Sequence, residues 1–216
     1  MTIKRIMDVI GSAAALILFA PLFLVVALLI RATMGRPILF RQMRPGRNGE
    51  PFELIKFRTM RTAGPGEGDL TNDGMRLTPL GRTLRATSLD ELPELWNVLV
   101  GDMSLVGPRP LLMQYLNRYT PEQARRHEVR PGLTGLAQVK GRNALGWEDK
   151  FALDLWYVDN RSLLLDLKII GLTALQVVRR TGIAADGEAT MPEFMGSGSP
   201  HGSAKDVALS SVKEDD

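Results

Sequence analysis

The chain has 216 residues, 44% hydrophobic and 24% charged, which is enough apolar material for one packed domain with appendages. Lys and Arg number 27 against 24 Asp and Glu, a small basic excess whose placement matters more than its size. There is no cysteine, and only His127 and His201 among histidines, which excludes disulfides, thiol nucleophiles and cysteine zinc sites and leaves Asp, Glu, Lys and Arg as the chemical groups.

Val9–Ile30 is an uncharged apolar run of 22 residues, long enough to cross a bilayer core as a straight helix. No small-residue cleavage site follows it, so it does not read as a cleaved signal peptide. Both flanks are basic: Lys4 and Arg5 before it, Arg31, Arg36, Arg41, Arg44 and Arg47 after it. The tendency of basic flanks to stay cytoplasmic asks both ends to lie on one side. Pro21, near the middle, removes a backbone donor and clashes with the carbonyl four residues back. A helix bent at Ala20–Pro21 that enters and leaves by one face meets both facts; a spanning helix meets the length alone.

Residues 37–60 predict a β-hairpin about the turn "GRNGEP". Strand alternation puts Leu54, Lys56, Arg58 and Met60 on one face, so Lys56 and Arg58 point the same way; alone, that face reads as a solvated one. Residues 61–78 are glycine-rich loop. "TPLGRTLRATS" predicts a short helix with Arg82 and Arg85 about one turn apart. "SLDELPELWNVL" follows from Ser88. Its S-x-x-E spacing is a capping-box pattern and Asp90 a favoured N-cap, which places Pro93 at the third helical position and makes an apolar stripe of Leu92, Leu95, Trp96 and Leu99, ended by Gly101. From this pattern alone, Asp90 and Glu91 read as caps. "VGPRPLL" sets Arg109 between two prolines. Residues 114–128 predict a polar helix, and "RPGLTGLAQVKGRN" is glycine-punctuated. Two helical patterns over 148–180 are split by "DNRS". The second is too apolar for an ordinary surface helix; it is either buried or lies in a membrane interface. From about Gly196 the composition predicts disorder.

Lys56, Arg58, Arg82, Arg85 and Arg109 come from three segments, more cation than one carboxylate pair requires. Arginine forks match phosphate oxygens, and magnesium commonly uses one or two carboxylates plus substrate phosphates. Cations, carboxylates and an apolar anchor together point to phosphoryl chemistry between a soluble donor and a lipid. A non-catalytic basic membrane-surface module remains the alternative. Nucleic acid is not an expected partner, since aromatic residues are 6% and no recognition motif occurs.

"KFRTM", "TSLDELPELWNVLVGDMSLVGPRPLL" and "RPGLTGLAQVKGRN", in that order behind a proline-broken apolar segment, resemble the bacterial sugar transferase family, the small monotopic phosphoglycosyl transferases, over roughly residues 1–182. The resemblance implies an α+β fold: a monotopic membrane protein with a proline-broken re-entrant N-terminal helix (1–35), a mostly helical cytosolic catalytic domain with a β-hairpin and amphipathic interfacial helices (36–182), and a C-terminal extension (183–216) disordered towards its end. It implies transfer of a sugar 1-phosphate from a UDP-sugar to polyprenol (undecaprenyl) phosphate, with UMP leaving, at the cytoplasmic face of the bacterial inner membrane among its lipids. Asp90 matches the family's nucleophile, Glu91 its Mg2+ ligand, Arg85 and Arg109 positions associated with substrate phosphate; Lys56 and Arg58 lie in a further substrate motif. The family often has serine before the membrane proline, where this chain has Ala20; the lost hydrogen bond is worth about 1 kcal/mol. "GEATMPEFMG" resembles the C-terminal extension of bacillosamine-phosphate transferases, which implies UDP-N,N'-diacetylbacillosamine or another N-acetylated amino sugar as donor.

Overall fold

The apolar run folds as two helices with a sharp corner rather than one. In the computed structural model, which describes residues 2–62, 73–141, 145–179 and 193–196, α1 (Ile3–Leu18) and α2 (Ala20–Met34) meet at a bend of 61°. The break falls at Phe19, and Pro21 occupies the first turn of α2, where a missing N–H costs nothing. No single described helix is long and apolar enough to cross a membrane; the bent pair together has that length and composition. Ile17, Leu18, Leu24 and Leu28 around the corner are exposed.

Both outer ends of the pair are tied to one body. At the start of α1, Lys4 Nζ donates to Asp166 Oδ2 at 2.6 Å and to the Val106 carbonyl at 3.1 Å, and Arg5 donates to the Val98 and Leu99 carbonyls at 2.6 and 2.8 Å. Buried Asp8 accepts from Ser104 Oγ and the Leu105 N–H, each at 3.0 Å. At the end of α2, Arg58 donates to the carbonyls of Met34, Gly35 and Arg36. Orphan carbonyls at a helix end are thereby satisfied by a cation, the sign the helix dipole favours.

The predicted hairpin is β1 (Leu39–Pro45) against β2 (Pro51–Phe57), antiparallel, with Arg44 opposite Phe52 and Phe40 opposite Lys56. Asn48 and Gly49 take positive φ in the turn, as asparagine and glycine tolerate. Short α3 (Asp73–Arg76) precedes α4 (Pro79–Ala86), whose N-cap Thr78 accepts from the Gly81 N–H at 2.9 Å. A Cβ on Gly81 would stand 1.9 Å from the Thr59 carbonyl oxygen, so glycine permits α4 to lie directly on the chain leaving β2. Next comes α5 (Glu94–Val100), stopped by Gly101 at φ 107°. The predicted stripe is rotated: Leu95 and Val98 are buried, Trp96 is exposed.

The sequence showed no further sheet, yet β3 (Ser104–Val106) pairs in parallel with β4 (Gly132–Thr134). Added Cβ atoms at Gly107 and Gly132 would come within 2.4 Å of backbone, so both glycines are required by the close crossing of these segments. The helix predicted over 114–128 is instead a 3-10 turn at Met113–Arg118, α6 (Pro121–Ala124) and another 3-10 turn at Arg125–Glu128. Pro121 forces extended backbone before it, and Thr120 with Gln123 forms a capping box that starts α6 afresh.

After α7 (Leu136–Lys140), the two predicted helices form as α8 (Trp147–Asn160) and α9 (Leu163–Arg179). On α9, Asp166 and Ile169 are buried against the core of Val106, Leu136, Leu153 and Tyr157, while Leu164, Leu167 and Leu175 are exposed. The predicted disorder beyond Gly196, the loop over 63–72 and Arg142 lie outside the described residues. Within the C-terminal extension, Phe194 is buried among Tyr115, Tyr119, Trp147 and Phe151, and Glu193 pairs with Arg118 at 2.7 Å.

Candidate active site

Asp90 and Glu91 lie in a tight 3-10 turn, Leu89–Glu91, between α4 and α5. The capping expectation does not hold. Ser88 makes no side-chain cap bond, and Pro93, not Asp90, occupies the N-cap of α5. The chain turns there because Ser88 adopts a left-handed conformation at φ 55°, unfavourable for a residue with a Cβ. Leu89 and Leu92, either side of the pair, pack on the cluster of Val26, Ile30, Phe57 and Leu84, so the turn sits at the root of α2.

Lys56, near the end of β2, lies 2.8 Å from Glu91 Oε1 and 2.9 Å from Glu94 Oε1; the second contact is an ion pair by distance without the angle of a hydrogen bond. Arg109 Nη2 donates to Glu91 Oε1 at 2.5 Å. Arg109 is held from behind: its carbonyl accepts from Arg126 at 2.8 Å, and Arg126 grips Asp154 through two nitrogens at 2.7 and 3.1 Å. Arg85, on α4, donates through Nε to Thr59 at 3.1 Å and acts electrostatically on Asp90.

Lys56, Arg85, Asp90, Glu91 and Arg109 therefore converge. Arg58 does not join them. β2 ends at Phe57, so the alternation that would align Arg58 with Lys56 stops there, and its buried guanidinium clamps the end of α2. Glu94 was missed, although it follows Glu91 by three positions and so shares its face on a helical turn. Arg44, within electrostatic range of Arg109 and Glu94, reads in the sequence only as part of the basic flank after the apolar run.

Charge differs sharply across the three carboxylates. Burial is the largest influence on Asp90; the like charge of Glu91 adds to it, Lys56, Arg85 and Arg109 oppose it, and the carboxyl is pushed up to about 6. Burial also works against an ionised Glu91, but Arg109 and Lys56 outweigh it and hold that carboxylate well below its usual range. Burial pushes Glu94 up to about 7 despite Lys56. Among the described residues, no hydrogen bond or ion pair engages the Asp90 carboxylate, whereas Glu91 and Glu94 are both engaged.

For a divalent cation, Asp90 and Glu91 supply at most two carboxylates, and no cluster of three or more acidic or histidine ligands occurs among the described residues. This donor set fits magnesium in its one- or two-carboxylate mode, completed by substrate phosphate, and does not fit a metal held by protein alone.

The small α+β fold thus brings an acidic pair and converging cations to the foot of an apolar helix corner. Residues 1–180 match the bacterial sugar transferase family, and the chain belongs to it. It is 51% identical over 198 residues to an uncharacterized sugar transferase, EpsL, of Bacillus subtilis, covering 92% of this chain and 98% of the relative. It is 47% identical over 178 residues, 77% of this chain and 66% of the relative, to a UDP-glucose:undecaprenyl-phosphate glucose-1-phosphate transferase of Caulobacter vibrioides. A Klebsiella pneumoniae protein of the same name is 41% identical over 189 residues, 82% of this chain but 40% of the relative. The chain is accordingly a transferase, and the non-catalytic surface module gives way.

Proposed function

We propose that the protein transfers a sugar 1-phosphate from a UDP-sugar to undecaprenyl phosphate in two displacements at Asp90. A carboxylate oxygen of Asp90 attacks the phosphorus bearing the sugar. The bond from that phosphorus to the bridging oxygen breaks, and UMP leaves with the electron pair. An oxygen of the lipid phosphate then attacks the same phosphorus, the bond to Asp90 breaks, and the carboxylate returns as polyprenol-diphosphate-sugar departs. The supporting observation is the contrast among the acidic groups: Asp90 is buried beside cations yet unengaged, as a nucleophile requires, while Glu91 is locked in charged form. Arg85 and Arg109 stabilise the negative charge of the substrate phosphates in place of water.

Glu91, with the substrate phosphates, would hold magnesium, exchanging a cation contact to do so; the ion would neutralise phosphate oxygens. The helix corner is proposed as a re-entrant anchor at the cytoplasmic face, supported by the return of both of its ends to one domain. Exposed leucines of α9 extend the apolar surface. For the donor we propose an N-acetylated amino sugar such as UDP-N,N'-diacetylbacillosamine, on the likeness of the C-terminal stretch that carries Phe194. UDP-glucose is the second reading, favoured by the name of the Caulobacter relative.

The test is release of UMP from a panel of UDP-sugars with polyprenol phosphate and magnesium. Asp90→Asn should lower the rate by about a thousandfold or more and abolish a phosphosugar adduct visible by intact mass. Release of UDP in place of UMP would refute the reaction; EDTA should stop it if magnesium acts as proposed.

A further inference from the structure

Glu91 Oε1 carries two cations at once, Lys56 Nζ at 2.8 Å and Arg109 Nη2 at 2.5 Å. A divalent cation on that oxygen would meet both of them, so a contact has to be given up. Lys56 is the group with a second place to go. Its ammonium also lies 2.9 Å from Glu94 Oε1, within ion-pair distance but without the angle of a hydrogen bond, and that oxygen is buried with no hydrogen bond of its own. Glu94 is 1% exposed, and a buried carboxylate oxygen left in that condition is costly. The Arg109 guanidinium, among the described residues, pairs with no acidic group other than Glu91.

The frame around these groups is fixed. Glu94 opens α5, and Asn97, one turn further on, accepts from the Ile55 N–H at 3.1 Å and donates to the Glu53 carbonyl at 2.8 Å. On its other edge the same strand pairs Lys56 with Phe40. The strand that carries Lys56 is thereby tied to the helix that carries Glu94, and the ammonium, on its flexible four-carbon stem, is the part that can turn.

We propose that Glu94 is a positioning residue: it takes the Lys56 ammonium when Glu91 turns to a divalent cation. The inference rests on the reading of Glu91 as the magnesium ligand and adds what becomes of the ammonium that leaves it. Without Glu94, Lys56 would either stay on Glu91 against the ion or give up its carboxylate partner in a largely buried place. With Glu94, the ammonium passes from one carboxylate oxygen to the next, and a poorly directed ion pair becomes a charge-assisted hydrogen bond.

The full-length protein in detergent, with saturating UDP, is titrated with MgCl2, and the rise in Tm gives the magnesium concentration at half effect. The magnesium dependence of UMP release from a UDP-sugar is measured beside it. Glu94→Gln should raise both concentrations about tenfold or more. Loss of a nearby negative charge would also weaken a cation site, so position is separated from charge in two ways. Glu94→Asp keeps the charge but withdraws it by a methylene, and should raise the midpoint read from Tm about threefold or more. In a Lys56→Met background there is no ammonium to receive, and Glu94→Gln should move that midpoint by less than about twofold. An unchanged midpoint in Glu94→Gln or Glu94→Asp, or equal effects of Glu94→Gln with and without Lys56, would overturn the proposal and leave Glu94 a structural partner of Lys56. If Glu94→Gln or Lys56→Met does not fold, Glu94→Asp decides alone by its midpoint. If magnesium does not raise the Tm of the unaltered protein with UDP, or still does so in Glu91→Gln, the reading of Glu91 as the metal ligand fails instead, so the two failures are distinct.

Discussion

Asp90 carries a cost that function explains. Its proton is held more tightly in the folded chain, at about 6, than in the unfolded one, near 4. Folding is therefore opposed by its ionisation: the penalty is absent below about pH 4, grows as pH rises to 6, and is complete above that. A shift of this size corresponds to roughly 3 kcal/mol at most. Asp90→Asn should accordingly be inactive yet more stable than the parent at pH 7.5, with the gain vanishing near pH 4; thermal melts at the two pH values check this. UMP release by the parent should climb as pH passes through about 6 and the nucleophile charges. Asp90, Glu91, Lys56 and Arg109 were legible because the motif around them is long and ordered. Arg58 was not, because strand periodicity says nothing about where a strand stops. Glu94 and Arg44 stayed hidden because their partners come from other segments.

At the level of elements, α4 is aligned by a single missing methyl. Gly81→Ala would drive a Cβ into the Thr59 carbonyl, push α4 off the chain leaving β2 and separate Arg85 from Thr59. The expected result is a loss of about 1–3 kcal/mol from overpacking and a fall in kcat/KM of about tenfold or more, read by melting and UMP release. Gly171→Ala on α9, where nothing lies within 4 Å of an added Cβ, is the matched control and should be neutral in activity. The two helices on either side of "DNRS", α8 and α9, were predictable within a residue or two. β3 and β4 were not: three-residue parallel strands carry no alternation, and their pairing depends on glycines that permit contact rather than on side chains that drive it. The 114–128 stretch misled because its polar composition suits a helix while Pro121 divides it.

Over the whole molecule, stability rests on ties between distant segments. Lys4 links α1 to α9 through Asp166, which also accepts from the Tyr157 hydroxyl at 2.7 Å. Asp166 is 1% exposed, so Lys4→Met would strand a buried carboxylate and should cost about 3 kcal/mol, partly restored by a second change of Asp166→Leu; chemical denaturation of the single and double variants tests the pairing. The same charges that favoured a one-sided anchor on topological grounds, Lys4 and Arg5, are used as fasteners.

Phe194 has a practical corollary. A version of the protein shortened ahead of Glu193 would leave the rings of Tyr115, Trp147 and Phe151 wet on one flank, so its poor behaviour in solution could be mistaken for a fault in the enzyme itself. Affinity labels and reporters belong downstream of Met195.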